Sequence, residues 1–171
     1  MRLEFPQKKH EKEYLEMIQE FLNNNEMLIP QPMEIKEGET YDDFLQRIKD
    51  NREGKNLKPG RVRSDLFLLI NDDDRIVWAE AIRRELNDEL RFDGGNIGYG
   101  IRPSERKKGY AKIWLSLALQ KCKEAWLDKV LLNCRKDNIG SVKTIIGNWW
   151  IWDSEYEFEG RPKERYRIPL K

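Results

Sequence analysis

Apolar residues in the first third of the chain recur at helical spacing. Within Glu11–Leu22, Tyr14, Leu15, Ile18, Phe21 and Leu22 stand one, three and four positions apart, which predicts an amphipathic helix ended by Asn23, Asn24 and Asn25. A second helix begins at "TYDDFLQRIKD": Thr40 can cap it, Asp43 follows three residues later as in a capping box, and Tyr41, Phe44, Leu45 and Ile48 form the stripe. Residues 51–60 are polar and carry Gly54, Pro59 and Gly60, so they read as a loop. The period then shortens. "SDLFLLI" (64–70) and "RIVWAEAIRREL" (75–86) flank "NDDD", which predicts two antiparallel strands joined by a tight turn; Asp72–Asp74 belong to that turn rather than to a metal site.

Beyond Gly94 and Gly95 the run "GGNIGYGIR" predicts a third strand. Residues 110–127 read as a helix with Ile113, Leu117, Trp114, Ala118 and Trp126 marking apolar faces. "KVLLNC" (129–134) is a strand, "NIGSVKTII" (138–146) a short helix, and "SEYEFEG" with "KERYRIPL" a C-terminal hairpin divided at Arg161 and Pro162. Two helices, three strands, helix, strand, helix and hairpin predict an α/β fold with a mixed, mostly antiparallel sheet flanked by helices. No repeat or linker interrupts the 171 residues, so a single domain is expected.

Composition narrows the function classes. Thirty-two Lys plus Arg against 31 Asp plus Glu leave a formal net charge of +1, which gives no overall field for nucleic acid or membrane. The longest purely apolar run is "LFLLI", and the N-terminal sequence lacks a signal-peptide core, so a cytoplasmic protein is expected. Two cysteines and one histidine make neither a disulfide framework nor a usual zinc set. No metal is expected.

The chemistry concentrates in "IRPSERKKGYA", Ile101 to Ala111, where Arg106, Lys107 and Lys108 precede Gly109 at the mouth of a helix. The helix dipole disfavours cations there and favours an anion. A glycine turn opening a helix points several free N–H groups at one spot, which suits a phosphate or pyrophosphate. No G-x-x-x-x-G-K-[ST] sequence is present. The stretch resembles the acetyl-CoA-binding motif R/Q-x-x-G-x-G/A of the GNAT superfamily of N-acetyltransferases, with Arg106, Gly109 and Ala111 at its fixed positions. The resemblance extends to the preceding strand "IGYGIRP" and to "KVLLNC" and "KDNIGSVKTI" in the family's order, and it is similar to a bacterial subgroup of predicted acetyltransferases.

That resemblance implies a GNAT fold over 1–171, acetyl-CoA as cosubstrate, and a small-molecule or peptide amine as acceptor, without nucleic acid or membrane. It places Ile101, Arg102, Arg106, Lys107, Lys108, Gly109, Tyr110 and Ala111 around the coenzyme, with Lys107 and Lys108 in reach of the 3′-phosphate. Tyr99–Arg102 and Leu132–Cys134 would border the thioester. Asn138 stands where the family contacts the pantetheine, and it also suits the N-cap of the helix that follows. Gly98 and Gly100 leave one strand face bare, either as a weak point in the strand or because a ligand approaches the backbone. The oligomeric state is left open, a homodimer included.

Departures from the family bear on mechanism. Ile145 replaces the tyrosine that protonates the leaving thiolate, and Arg84 and Asn96 stand where relatives carry histidines. Trp149 and Trp150 replace small residues, so the short helix should end near Ile146 with Gly147 or Asn148 supplying a positive φ, and Trp149, Trp150 and Trp152 should enter the next strand as core or as pocket lining. Cys134 reads as core rather than nucleophile. Presenting a primary amine neutral at pH 7 costs roughly 4.6 kcal/mol, so a base is expected. Glu80, interrupting an apolar strand, is the candidate, against an ordinary outward-facing strand residue. Tyr99, Tyr110, water or no acid at all remain for the thiolate, Tyr99 being the first choice. The expected activity is acetyl transfer by direct attack; the alternative is a coenzyme A-binding protein with weak or lost catalysis.

Overall fold

Seven consecutive buried positions, Ser64 to Ile70, form a strand covered on both faces, and everything in the first half of the chain is arranged around it. The computed structural model describes residues 1–148 and 150–170, and of Ala111 and Lys112 the backbone alone. Its elements are β1 (Arg2–Glu4), α1 (Glu11–Asn23), α2 (Tyr41–Glu53), β2 (Ser64–Ile70), β3 (Ile76–Arg83), α3 (Asp88–Phe92), β4 (Ile97–Ile101), α4 (Tyr110–Glu124), β5 (Lys129–Arg135), α5 (Ile139–Ile146), β6 (Ile151–Phe158) and β7 (Arg161–Pro169). β1 and α3 were not expected: at three and five residues they are too short for periodicity to register. The chain divides into two compact units, Met1–Arg83 with Gly98–Lys108, and Arg84–Ile97 with Gly109 onward.

In the first unit the sheet order is β1-β2-β3-β4, and β1–β2 and β2–β3 are antiparallel. The β2–β3 turn is built by Asn71, whose Oδ1 accepts from the N–H groups of Asp73 and Arg75, while Asp74 takes a positive φ; the acidic run is a turn, as its sequence reads. Leu66, Leu68, Ile70, Ala79 and Ala81 face a core shared with α1 and α2. There Tyr14 lies 5.6 Å from Tyr41 and 5.0 Å from Phe44, ring centre to ring centre, and its hydroxyl donates to the Met33 carbonyl at 2.6 Å. Of the stripe expected on α1, Tyr14 and Phe21 are buried and Ile18 packs against the core, but Met17 joins them and Leu15 and Leu22 are exposed. A period of three to four is satisfied by two overlapping stripes, and the buried face is centred on Met17. In α2 the capping box forms as read: Thr40 Oγ1 accepts from the Asp43 N–H at 3.2 Å while Asp43 accepts from the Thr40 N–H at 3.0 Å, and Gly54 ends the helix at φ 74°.

In the second unit β7 lies between β5 and β6, antiparallel to both. β5 alternates, burying Val130, Leu132 and Cys134. The hairpin turn is Glu159–Gly160, both at positive φ (50° and 70°), and Arg161 and Pro162 already belong to β7. That corrects the expected division at Arg161 and Pro162: two left-handed residues match the twist of a hairpin, and Gly160 supplies one without strain. α4 buries Trp114, Leu115, Ala118 and Cys122, whereas Ile113 and Trp126 are exposed, contrary to expectation. α5 ends at Ile146 as expected, but Gly147 sits at φ −65°, so no left-handed cap is used. Trp150 is buried just ahead of β6 and Trp152 is exposed on it; Trp149 lies outside the described residues.

Candidate functional site

The loop that leaves β4 is anchored from α1. Glu13, Glu16 and Glu20 lie three and four positions apart, hence on one side of that helix, and they receive the guanidinium of Arg102, which is 2% exposed. Arg102 pairs with Glu13 and with Glu20 (2.6 Å), also donates to the Ile76 carbonyl at 3.3 Å, and its backbone N–H donates to Val77 at 3.0 Å. Arg75 joins from the foot of β3, 3.1 Å from Glu20 and 2.8 Å from Glu105. Burial pushes the Glu20 and Glu105 carboxyls up, but the hydrogen bonds from Ser104 and Arg102 to the first, and from Lys108 and Arg75 to the second, outweigh it and hold both below the usual carboxylate range. The side chain of Arg102 thus turns into the interior of its own unit, drawn by three glutamates.

From this anchor the chain makes a single 3-10 turn at Pro103–Glu105 and runs through the basic triplet to α4. Arg106 is held by Glu26, its two terminal nitrogens 2.7 and 2.6 Å from the two carboxylate oxygens, and its Nε donates to the Ile101 carbonyl at 3.3 Å. That pairing holds Glu26 below its ordinary pKa. Lys108 reaches Glu105 at 3.0 Å. Lys107 is exposed and left-handed at φ 62°. Two of the three charges read as awaiting an anion therefore already have carboxylate partners. The Arg106–Glu26 pair is partly exposed and such pairs are worth about 0–1 kcal/mol, so a phosphate can displace it readily; Glu105 is buried but keeps Arg75 as a partner when the exposed Lys108 leaves.

Gly109 ends the loop at φ 85°, ψ 4°, and Tyr110 begins α4. No side chain caps this helix and its first turn carries no acid. The other helices are begun differently. Thr40 and Asn87 cap α2 and α3, Asn138 caps α5, and α1 to α3 all carry acids in the first turn. The start of α4 thus offers unsatisfied N–H groups and a positive dipole end with nothing of its own to neutralise them. A Cβ built on Gly109 would meet no atom within 4 Å, so the space above the turn is open. These features fit a pyrophosphate. The side chain of Ala111, the motif's last position, lies outside the described residues.

Asn138 caps α5, its Oδ1 accepting from the Ser141 N–H at 3.1 Å. Asn96 is buried and stitches the backbone, donating through its N–H to the Leu131 carbonyl at 2.7 Å and accepting from the Leu131 N–H through Oδ1 at 2.9 Å. Gly98 and Gly100 do meet a close approach, but from the chain itself. Pro30 Cβ lies 3.5 Å from where a Gly98 Cβ would stand, and a Cβ on Gly100 would collide with the Ile29 carbonyl. The ligand expected at that face is replaced by the segment after α1.

Of the two candidate proton carriers, Glu80 is wholly buried at the centre of β3, opposite Phe67 on β2, and not outward-facing. Burial pushes its carboxyl well above the ordinary value. β3 neighbours β4 in the sheet. Tyr99 stacks on Trp78 at 5.0 Å, and Trp78 shares the face of β3 with Glu80, so both candidates lie on the side of the sheet away from α1 and α2. Ile145 is buried and Cys134 has its thiol pushed up to about 12 by burial and by Glu164, which makes it core, not nucleophile. Among the described residues no group of His, Cys, Asp and Glu is placed to hold a metal ion, and no helix is long and apolar enough to cross a membrane. The anchoring carboxylates Glu13, Glu20, Glu26 and Glu105 went unread in the sequence. The helical spacing of Glu13, Glu16 and Glu20 was their one visible signal.

No family model matches the chain, and no curated protein matches its sequence. Solved structures do match it. A spermidine N-acetyltransferase SpeG from Vibrio cholerae in complex with CoA and spermine superposes with a TM-score of 0.65 at 15% identity, covering 99% of this chain and 95% of that one. The dodecameric form of that Vibrio cholerae enzyme gives 0.65 at 15% identity, covering 99% and 93%. A phosphinothricin N-acetyltransferase gives 0.61 at 10% identity, covering 99% and 98%. The chain has the fold of the GNAT N-acetyltransferases.

Proposed function

We propose that this protein is an acetyl-CoA-dependent N-acetyltransferase that passes the acetyl group directly to an amine. The observation that carries the reading is the start of α4: a left-handed Gly109, no capping side chain, no acid in the first turn and open space above. Acetyl-CoA supplies a thioester acetyl group and a thiolate leaving group. The N–H groups at the start of α4 hold its pyrophosphate, with Lys107 free to turn toward a phosphate and Arg106 and Lys108 available by exchange from Glu26 and Glu105. Arg102 keeps the loop in place from within. Glu80 takes the amine proton and Tyr99 serves the departing thiolate, both from one face of the sheet. Polyamines lead the candidate acceptors, because spermine accompanies CoA in one of the similar structures.

Thermal denaturation with CoA tests the coenzyme half. A ligand at a hundred times its Kd stabilises by about 2.7 kcal/mol, so millimolar CoA is expected to raise Tm by several degrees. No shift at that concentration removes the reading. Thiol release from acetyl-CoA across spermidine, spermine, lysine peptides and small amines tests the other half; a CoA-dependent shift with no turnover on any amine favours a coenzyme-binding protein without catalysis.

A further inference from the structure

The second unit holds a cavity of about 470 Å³ that none of the residues assigned to the coenzyme lines. Its walls come from the segment after β3, the α4–β5 connection and the outer positions of β6 and β7. Leu86, Leu127, Val130 and Leu131 supply apolar wall. Arg91 and Lys129 reach it and form no ion pair among the described residues, whereas Arg167 is paired with Asp153 at 2.8 Å. Arg84, Glu85, Asn96 and Asp128 complete the lining, so apolar wall alternates with charge, and cations outnumber carboxylates there by four to three.

Trp126 also lines it, and its placement obeys neither of the rules that usually decide a tryptophan's position. α4 ends in a Schellman motif: the Leu127 N–H donates to Cys122 (3.1 Å) and the Trp126 N–H to Lys123 (2.9 Å). That motif asks for glycine or asparagine at the left-handed position, yet Trp126 occupies it at φ 61°. Burial does not compensate, for Trp126 is 92% exposed. A strained and exposed side chain at a position that prefers glycine points to a site. An exposed indole at the mouth of a cavity offers a face for stacking.

We propose that this cavity binds a small aromatic acid, its ring on Trp126 and its carboxylate between Arg91 and Lys129. The volume falls within the range of small-molecule sites and suits one or two fused rings. Calorimetric titration of 2-naphthoate, 2-naphthamide and 2-naphthylmethylamine tests it, with CoA saturating so that the coenzyme site is closed. The acid is expected to bind at least tenfold more tightly than the amide and the amine. Trp126→Gly should weaken it at least tenfold while leaving Tm unchanged or higher, since glycine belongs at that position. Arg91→Gln with Lys129→Gln should remove the preference for the acid over the amide. Equal affinity for acid and amide, a preference for the amine, or acid binding that both sets of substitutions leave unchanged overturns the proposal. If CoA itself fails to bind, the same titration without it still decides the matter.

Discussion

Glu80 and Arg102 are both buried in the first unit. The Glu80 carboxyl titrates above its unfolded value because burial penalises the anion. A carboxyl raised in this way adds stability fully present below the unfolded pKa and loses it as pH rises toward the folded one. The wild-type protein is therefore expected to lose stability progressively above about pH 4.5 on this account. In denaturation profiles across pH, Glu80→Gln should flatten that limb. A Glu80→Gln profile parallel to wild type would mean that the carboxyl is ionised in the folded state. If Glu80 is the base, the same substitution also lowers kcat/KM at least tenfold, and the wild-type rate climbs with pH into the alkaline range; superimposable rate profiles would assign deprotonation to solvent. Arg102 poses the opposite case. Replacing it by Met leaves Glu13 and Glu20, each about a quarter exposed, with Arg75 as their remaining cation, and is expected to destabilise by about 3 kcal/mol, read as a lowered urea midpoint. A change below about 1 kcal/mol would mean that water serves those carboxylates equally well.

The start of α4 decides at the scale of the element. Gly109→Val is expected to abolish the CoA-induced rise in Tm, because a β-branched residue resists φ 85° and its side chain enters the space left open above the turn. A shift of wild-type size would place the anion elsewhere. This was also the element most legible in the sequence, since the glycine, the basic triplet and the missing cap are all local signals. The α2 capping box, the Asn71 turn and the end of α5 were legible for the same reason. What escaped was set by partners far along the chain. Nothing near Arg102 reports that it turns inward, because its glutamates stand 82 and 89 positions earlier. Arg106 and Glu26 are 80 apart, and the occupant of the glycine face of β4 comes from residue 29. Trp126 was assigned to an apolar face because helical periodicity runs past the last turn, and no hydrophobic scale marks a left-handed residue.

For the molecule as a whole, 32 basic side chains stand against 31 acidic ones. Even the tightest basic cluster is partly neutralised by Glu26 and Glu105. The protein is accordingly expected to pass through a duplex DNA column at low salt without retention; retention that falls steeply with salt would mean an exposed basic face and contradict this. The Ile29 carbonyl, lodged where Gly100 has no side chain, has a further consequence for what changes the chain tolerates. Connecting segments usually absorb insertions and deletions, because nothing depends on where their middle lies. Residues 24–30 differ in this respect: one residue more or less between Phe21 and Pro30 would slide a different group over β4, and any side chain at position 100 would push the segment off. Homologous replacement of this segment therefore succeeds only at constant length and with glycine kept at 100, so variation beside α1 has to come from side chains and not from the path of the backbone.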